Sequence, residues 1–199
     1  MNKSEIRKIF KEKRSAISKQ KVELLSNQIC ENFLFNLLPK ISIKQQDQVI
    51  ALYKNSANEV STKKISEHLL LHQISFCYPK IIAKNRPLDF IALKEGTEFK
   101  PNKIYSNILE PDSDILVTPN LLVLPLVAFD SHNIRLGMGG GFYDRTINFL
   151  KSQKFQFVTI GLAYDFQRLE DTMPFENHDQ RLDFIVTEKN LFCAESGLA

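Results

Sequence analysis

The sequence predicts a single α/β domain over residues 1–199, with a mainly parallel sheet flanked by helices. Three observations lead there. Runs such as 49–53 (Val-Ile-Ala-Leu-Tyr) and 121–129 (Leu-Leu-Val-Leu-Pro-Leu-Val-Ala-Phe) are apolar on both faces, as strands covered from two sides must be. Between such runs lie segments whose apolar residues recur every three or four positions, the period of a helix with one buried face. Four of the seven glycines, Gly137, Gly139, Gly140 and Gly141, are packed between a buried run and a helix-forming one. Sheets of this kind take ligands at the carboxyl ends of their strands, so the residues that follow each strand are the candidates for chemistry.

The elements follow in order. Asn2-x-x-Glu5 has the form of a capping box. It opens a helix whose apolar stripe is Ile6, Ile9 and Phe10, continued by Ile17. Lys3, Arg7 and Arg14 fall one and then two turns apart on a shared face. A second helix starts at Ser18, carries Val22, Leu25, Ile29 and Phe33 at helical spacing, and ends at Pro39. A strand over 49–53 is followed by a polar loop to Glu59 and a helix from Ser61 or Thr62 with Ile65 and Leu69 inward. The next strand, 74–78, is stopped by Pro79, and 88–93 forms another. Residues 94–119 contain prolines, are weakly periodic and read as irregular. Residues 121–129 form one buried strand leading to the glycines. A helix spans 141–151, and strands follow at 155–162 and 184–187. The pattern shows no internal repeat, low-complexity tract or linker.

Hydrophobic content of 43% and charged content of 25% are those of an ordinary globular chain. No apolar run approaches the ~20 residues of a membrane span. The N-terminus is basic and amphipathic, without the apolar core of a signal peptide, so a cytoplasmic protein with no membrane partner is expected. Net charge is +3, but residues 1–21 hold Lys3, Arg7, Lys8, Lys11, Lys13, Arg14, Lys19 and Lys21 against Glu5 and Glu12. Most of these read as a solvated helix face, although the local excess also suits a phosphate ligand. Cys30, Cys77 and Cys193 are odd in number and far apart, which argues against both a disulfide framework and a zinc site. They read as reduced, small apolar residues.

The run Arg135-Leu136-Gly137-Met138-Gly139-Gly140-Gly141-Phe142-Tyr143-Asp144-Arg145 carries the strongest signal. Clustered glycines let backbone N–H groups curl toward one point, and a helix beginning just after them adds free N–H groups and a positive dipole end. That is a polyanion site, such as one for nucleotide phosphates. Arg135 can pair with phosphate and Asp144 can hold a divalent cation. The run is neither a P-loop nor G-x-G-x-x-G. The competing reading is a tight strand-to-helix turn whose glycines serve packing alone.

Other groups are weaker. His68 and His72 have the i, i+4 spacing of a helical metal pair, but three leucines lie between them and no H-E-x-x-H is present, so a packed helix is favoured. His132 sits in a turn, and neither it nor His178 has a partner for nucleophilic catalysis. Glu59 can bind the N–H groups of a heterocycle or stabilise the start of the helix at Ser61; both readings stand. Asp179 can supply an oxygen to a nucleotide-bound metal, or serve as a turn aspartate.

Read together, these blocks resemble the 5-formyltetrahydrofolate cyclo-ligase family, also called methenyltetrahydrofolate synthetase. The match includes Lys3-x-x-x-Arg7, and Tyr53 followed by Glu59-Val60-Ser61-Thr62. It continues through Leu124-Pro125, Ala128-Phe129-Asp130 and the Arg135–Arg145 run, and closes with Gln167, Pro174 and His178-Asp179 with Asp183. Met138, Asn133 and Leu126 depart from the usual pattern. The resemblance implies a three-layer fold like the NagB/RpiA/CoA transferase-like one. It also implies conversion of 5-formyltetrahydrofolate to 5,10-methenyltetrahydrofolate with ATP and Mg2+, releasing ADP and phosphate. In the family's route the formyl oxygen attacks the γ-phosphate, N10 attacks the activated carbon, and phosphate leaves. Carried over by position, Lys3 and Arg7 contact ATP phosphates, and Arg135, Leu136, Gly137, Met138, Gly139, Gly140, Gly141, Phe142 and Tyr143 wrap the nucleotide. Arg135 and Tyr143 are the catalytic candidates, Asp144 and Asp179 serve Mg2+, and Glu59 and Lys54 bind the folate. No residue is assigned as a general base.

Two rivals remain at this level. A non-catalytic RNA-binding relative would use the basic first 21 residues, but these lack interleaved aromatics for stacking on bases. A sugar-phosphate isomerase on a related fold would need no ATP and would leave the Arg–glycine–Tyr-Asp run unexplained. No nucleic-acid partner is expected, and the oligomeric state is open.

Overall fold

The computed structural model describes residues 1–93, 96–176 and 179–194, so His178 lies outside the described residues. The chain forms α1 (Lys3–Ser15), α2 (Lys19–Glu31), β1 (Val49–Ala51), α3 (Lys63–Leu71), β2 (Ser75–Lys80) and β3 (Asp89–Ala92). It continues with β4 (Phe99–Pro101), β5 (Leu109–Pro111), β6 (Leu121–Pro125), β7 (Ala128–Phe129), β8 (Arg135–Leu136), α4 (Phe142–Ser152), β9 (Val158–Leu162), β10 (Phe184–Val186) and β11 (Leu191–Cys193).

Seven strands make one sheet in the order β11-β10-β9-β6-β1-β2-β3. The five inner strands are parallel, and β3 and β11 close the two edges antiparallel. Alternate side chains of each strand enter opposite layers, as the period of two requires. Ile50, Leu121, Val123, Ile160 and Val186 pack with Ile29 of α2, Phe33 just beyond it, and Ile65 and Leu69 of α3. Ala51, Leu122, Leu124 and Ile185 pack on the other face with Ile147 and Leu150 of α4. The result is the expected single α/β domain in three layers. A third cluster joins α1 (Ile6, Phe10) to the hairpin β7–β8 (Ala128, Leu136). Gly161 sits in the sheet centre because a Cβ there would lie 2.8 Å from both Leu126 Cδ2 and Leu182 Cδ1.

The helix starts agree with the sequence. Asn2 and Glu5 form the capping box, and Ser18 caps α2. Ile9, assigned to the apolar stripe, is exposed instead. The second helix ends at Glu31 and passes through a wide turn (Asn32–Leu37) into a tight one (Leu38–Lys40) that contains Pro39.

Four strand expectations need correction. β2 runs through Pro79, because β1 pairs only as far as Cys77 and no ladder donor is required beyond it on that side. Residues 94–119 contain β4 and β5, too short for a legible period; buried Glu110 ties them in by accepting from Ile81 N and Asn102 Nδ2. The run 121–129 is two strands. It breaks after Pro125, where Gln167 Nε2 donates to Leu126 O (2.9 Å) and Val127 O (2.8 Å), satisfying carbonyls that a continuous ladder would have used. The strand expected over 155–162 starts only at Val158, and β11 was not foreseen.

Burial pushes the Cys30 and Cys77 thiols up to about 12, so both behave as small apolar residues. Cys193 is exposed and does not fit that reading. His68 and His72 pack ring against ring at 4.2 Å, and among the described residues no cluster of three metal-ligating side chains exists.

Candidate active site

The chain adds β2 on one side of β1 and, later, β6 on the other. The loops leaving β1 and β6 therefore diverge at their carboxyl ends and open a crevice. A cavity of about 670 Å³ lies there. All the residues singled out from sequence line it: Lys3, Arg7, Lys54, Glu59, the run from Arg135 to Asp144, and Asp179. The loop after β1, the β7–β8 hairpin with its glycines, the start of α1 and the stretch around Asp179 converge from distant parts of the chain.

The glycine end is prepared by Asp130. Its buried carboxylate accepts from His132 N, Ile134 N and Met173 N, closing the β7–β8 turn in which Asn133 takes the left-handed conformation (φ 57°). β8 then delivers Arg135 into the cavity. Arg135 Nη2 lies 2.7 Å from Asp144 Oδ1, and its guanidinium faces the Tyr143 ring at 5.7 Å. Arg135 Nε is buried and has no hydrogen-bond partner among the described residues, an unspent donor at the edge of the cavity. A Cβ at position 137 would sit 2.9 Å from Arg135 Nη1, so the glycine leaves room for that guanidinium. Gly141 caps α4 at φ 63°, which turns the chain so that the first N–H groups of the helix face the loop.

The helix α1 closes this end. Arg7 Nε donates to Gly137 O at 2.9 Å, which holds the loop by its backbone. Lys3 Nζ pairs with Asp179 at 2.6 Å and with Glu176 at 2.9 Å. Burial alone lowers the Lys3 ammonium, but its bonds and charge pairing with Asp179 and Glu176 outweigh that and hold it above its ordinary value. Asp179 also accepts from Glu176 N, so it is a turn aspartate as well as a cavity carboxylate. Burial pushes the Tyr143 phenol well up, with Arg135 pulling it down less strongly, so it stays protonated at neutral pH and keeps an O–H that can donate a hydrogen bond. Met138 is 56% exposed at the rim.

The opposite end is built on the loop after β1. Glu59 is buried. Its Oε2 accepts from Ser56 N (2.9 Å) and Ser56 Oγ (3.1 Å), and its Oε1 faces Arg14 Nη1 at 3.6 Å. It makes no capping hydrogen bond to α3, whose N-cap is Thr62. The loop is pinned by Tyr53 Oη donating to Val60 O and Thr62 Oγ1 donating to Tyr53 O. Apolar walls come from Pro79, Ile81, Leu88, Ile108 and Leu109. None of these carried a sequence signal, because the segments holding them were short or irregular. Lys54 Nζ lies at the mouth, 4.8 Å above the Phe99 ring.

Fold and cavity together define a class: an α/β protein whose switch-point crevice has a glycine loop with cationic side chains at one end and a buried carboxylate among apolar walls at the other. The model of the 5-formyltetrahydrofolate cyclo-ligase family matches residues 1–188. A 5-formyltetrahydrofolate cyclo-ligase from Mycoplasma pneumoniae is 33% identical over 190 residues, covering 95% of this chain and 100% of that protein. A solved 5,10-methenyltetrahydrofolate synthetase from the same organism superposes with a TM-score of 0.70 at 32% identity, covering 94% of this chain and 99% of that one. The NMR structure of the Aquifex aeolicus 5,10-methenyltetrahydrofolate synthetase gives a TM-score of 0.79 at 27% identity, covering 100% and 96%. The chain belongs to the 5-formyltetrahydrofolate cyclo-ligase family, a family of ATP-using ligases. Among the described residues no helix is long and apolar enough to cross a membrane.

Proposed function

We propose that this chain, acting as one unit over residues 1–199, catalyses the ATP- and Mg2+-dependent cyclisation of 5-formyltetrahydrofolate to 5,10-methenyltetrahydrofolate, releasing ADP and phosphate. The observation that carries this is a shared cavity, lined at one end by the glycine loop and at the other by Glu59. Two substrates bound there present the formyl oxygen to the γ-phosphate. The reaction requires neither nucleic acid nor membrane, and a cytoplasmic location goes with it.

An amide-like oxygen leaves poorly and a phosphorylated one leaves well, so ATP supplies the leaving group. The formyl oxygen takes the γ-phosphoryl as its bond to ADP breaks. N10 then bonds the activated carbon, the C–O bond breaks, and phosphate leaves together with the proton from N10. The protein contributes position and charge. Arg135 stabilises charge on the transferred phosphoryl, with Nε as the donor that this contact satisfies. The amides of residues 136–143 cradle the phosphates, Lys3 and Arg7 approach them from α1, and Tyr143 donates its phenolic O–H. Glu59 accepts from the pterin N–H groups, and Lys54 lies beside the folate at the cavity mouth.

The donor set fits Mg2+, which takes one or two carboxylates and completes its shell with phosphate oxygens and water. Asp144 and Asp179 would hold it, and the ion would neutralise phosphate charge during the transfer. Both carboxylates pair with cations, Asp144 with Arg135 and Asp179 with Lys3. With Mg-ATP bound, Arg135 and Lys3 would be free to pair with phosphate and the two aspartates with the metal, so no charge would be stranded. An absorbance assay for 5,10-methenyltetrahydrofolate, with 5-formyltetrahydrofolate and Mg-ATP, tests the reading. Product is expected; its absence with folded protein rejects it.

A further inference from the structure

We infer that Arg14 is a positioning residue for the substrate heterocycle: it acts through Glu59, fixing that carboxylate from behind the cavity wall. This rests on the reading above in which Glu59 binds the pterin. Arg14 is only 7% exposed, unusual for an arginine on a short surface helix, and it lies behind Glu59 instead of in the cavity lining. It stands on the same face of α1 as Lys3 and Arg7, two turns beyond Arg7. Those two serve the polyanion end; Arg14 reaches the other.

Glu59 is itself only 8% exposed. A carboxylate taken from water keeps its charge and place only with compensation. Ser56 supplies two donors to Oε2, while Oε1, the oxygen left for a ligand, has the Arg14 guanidinium at 3.6 Å. Without Arg14, Oε1 is held by nothing charged and the side chain can rotate away from a productive geometry. A separate contact ties the same parts together. Asn58 Nδ2 donates to Arg14 O (3.0 Å) and Ile17 O (3.2 Å), clamping the residue before Glu59 to the end of α1. Ala57, just upstream, is held at φ 41°, a conformation that a non-glycine residue keeps only when its surroundings enforce it. Loop and helix end are thus tied together at Arg14, through its backbone and its guanidinium.

The test is a double-mutant cycle of R14M and E59Q, with R14K as the charge-retaining variant. KM values for 5-formyltetrahydrofolate and for ATP are measured separately, with melting temperatures alongside. R14M is expected to raise the folate KM about tenfold and to leave the ATP KM within about twofold. R14K should recover most of the loss, and R14M should add little once E59Q is present. If R14M proves too unstable to assay, the same split between the two KM values is read on R14Q, which also removes the charge facing Glu59 but keeps a polar side chain. Equal rises in both KM values, or an R14M effect undiminished in the E59Q background, would make Arg14 a purely structural residue and overturn the proposal. If E59Q itself leaves the folate KM unchanged, the assignment of Glu59 fails first and the role of Arg14 falls with it.

Discussion

At the glycine end of the cavity the charged side chains are held by one another; at the Glu59 end the carboxylate is held by a fixed loop and a buried guanidinium. Arg135 and Asp144 pair at 2.7 Å, and Lys3 and Asp179 pair at 2.6 Å. Each is a contact that a phosphate or a metal can replace. Glu59 instead accepts two hydrogen bonds from Ser56 and sits against Arg14, in a loop anchored to α1 and to its own backbone. The difference suits the ligands proposed for the two ends. A metal triphosphate brings both signs of charge, so exchangeable pairs suit it. A neutral heterocycle brings none and needs an acceptor already in place.

The largest expected break in this comparison is Arg135→Ala. It removes the phosphoryl-stabilising charge and leaves Asp144 unpaired, so turnover should fall about a thousandfold. Lys19→Ala, on the exposed start of α2, should change turnover little; steady-state kinetics on the pair decides, and equal losses would mean that the glycine loop is not the phosphate site. Next comes Asp144→Asn, expected to cut Mg-ATP turnover about a hundredfold with the fold intact. Calorimetry should also show this variant binding metal-free ATP more tightly than the wild type, because Arg135 no longer has a competing carboxylate and the repulsion of the triphosphate is gone. Wild-type turnover, or weaker metal-free binding, would remove the exchange. The smallest effect belongs to the fixed end. Ser56→Ala deletes one neutral donor to Glu59, so the folate KM should rise about threefold with the ATP KM unchanged. A shift in both would show that the two ends are not independent.

The two ends also differ in how far they could be read before the chain was folded. The polyanion end is local: four glycines, Arg135, Tyr143 and Asp144 lie within ten positions, and their spacing carries their chemistry. The Glu59 end is not. In the sequence Glu59 reads equally as a ligand to a heterocycle and as a carboxylate stabilising the start of the next helix, because Ser56 and Arg14 become its partners only through folding. The ion pairs Lys3–Asp179 and Arg135–Asp144 were likewise unforeseen, since side-chain pairing across the chain leaves no periodic trace. Strand limits failed for a related reason. Residues 121–129 read as one apolar run, yet the side chain of Gln167 takes up the backbone at Leu126 and Val127 and turns the chain into a hairpin.

By itself the sequence determined the alternation of buried strands and amphipathic helices, the capped starts of α1 and α2, and the glycine cradle, because each depends on neighbours within a turn or a pleat. Tertiary structure decided that residues near 3, 59, 135 and 179 share one cavity. It also decided which cation each carboxylate holds and that Arg14 stands behind Glu59. Those outcomes depend on the order of strands in the sheet, which brings the carboxyl ends of β1 and β6 side by side, and strand order is a property of long-range packing that no local pattern encodes.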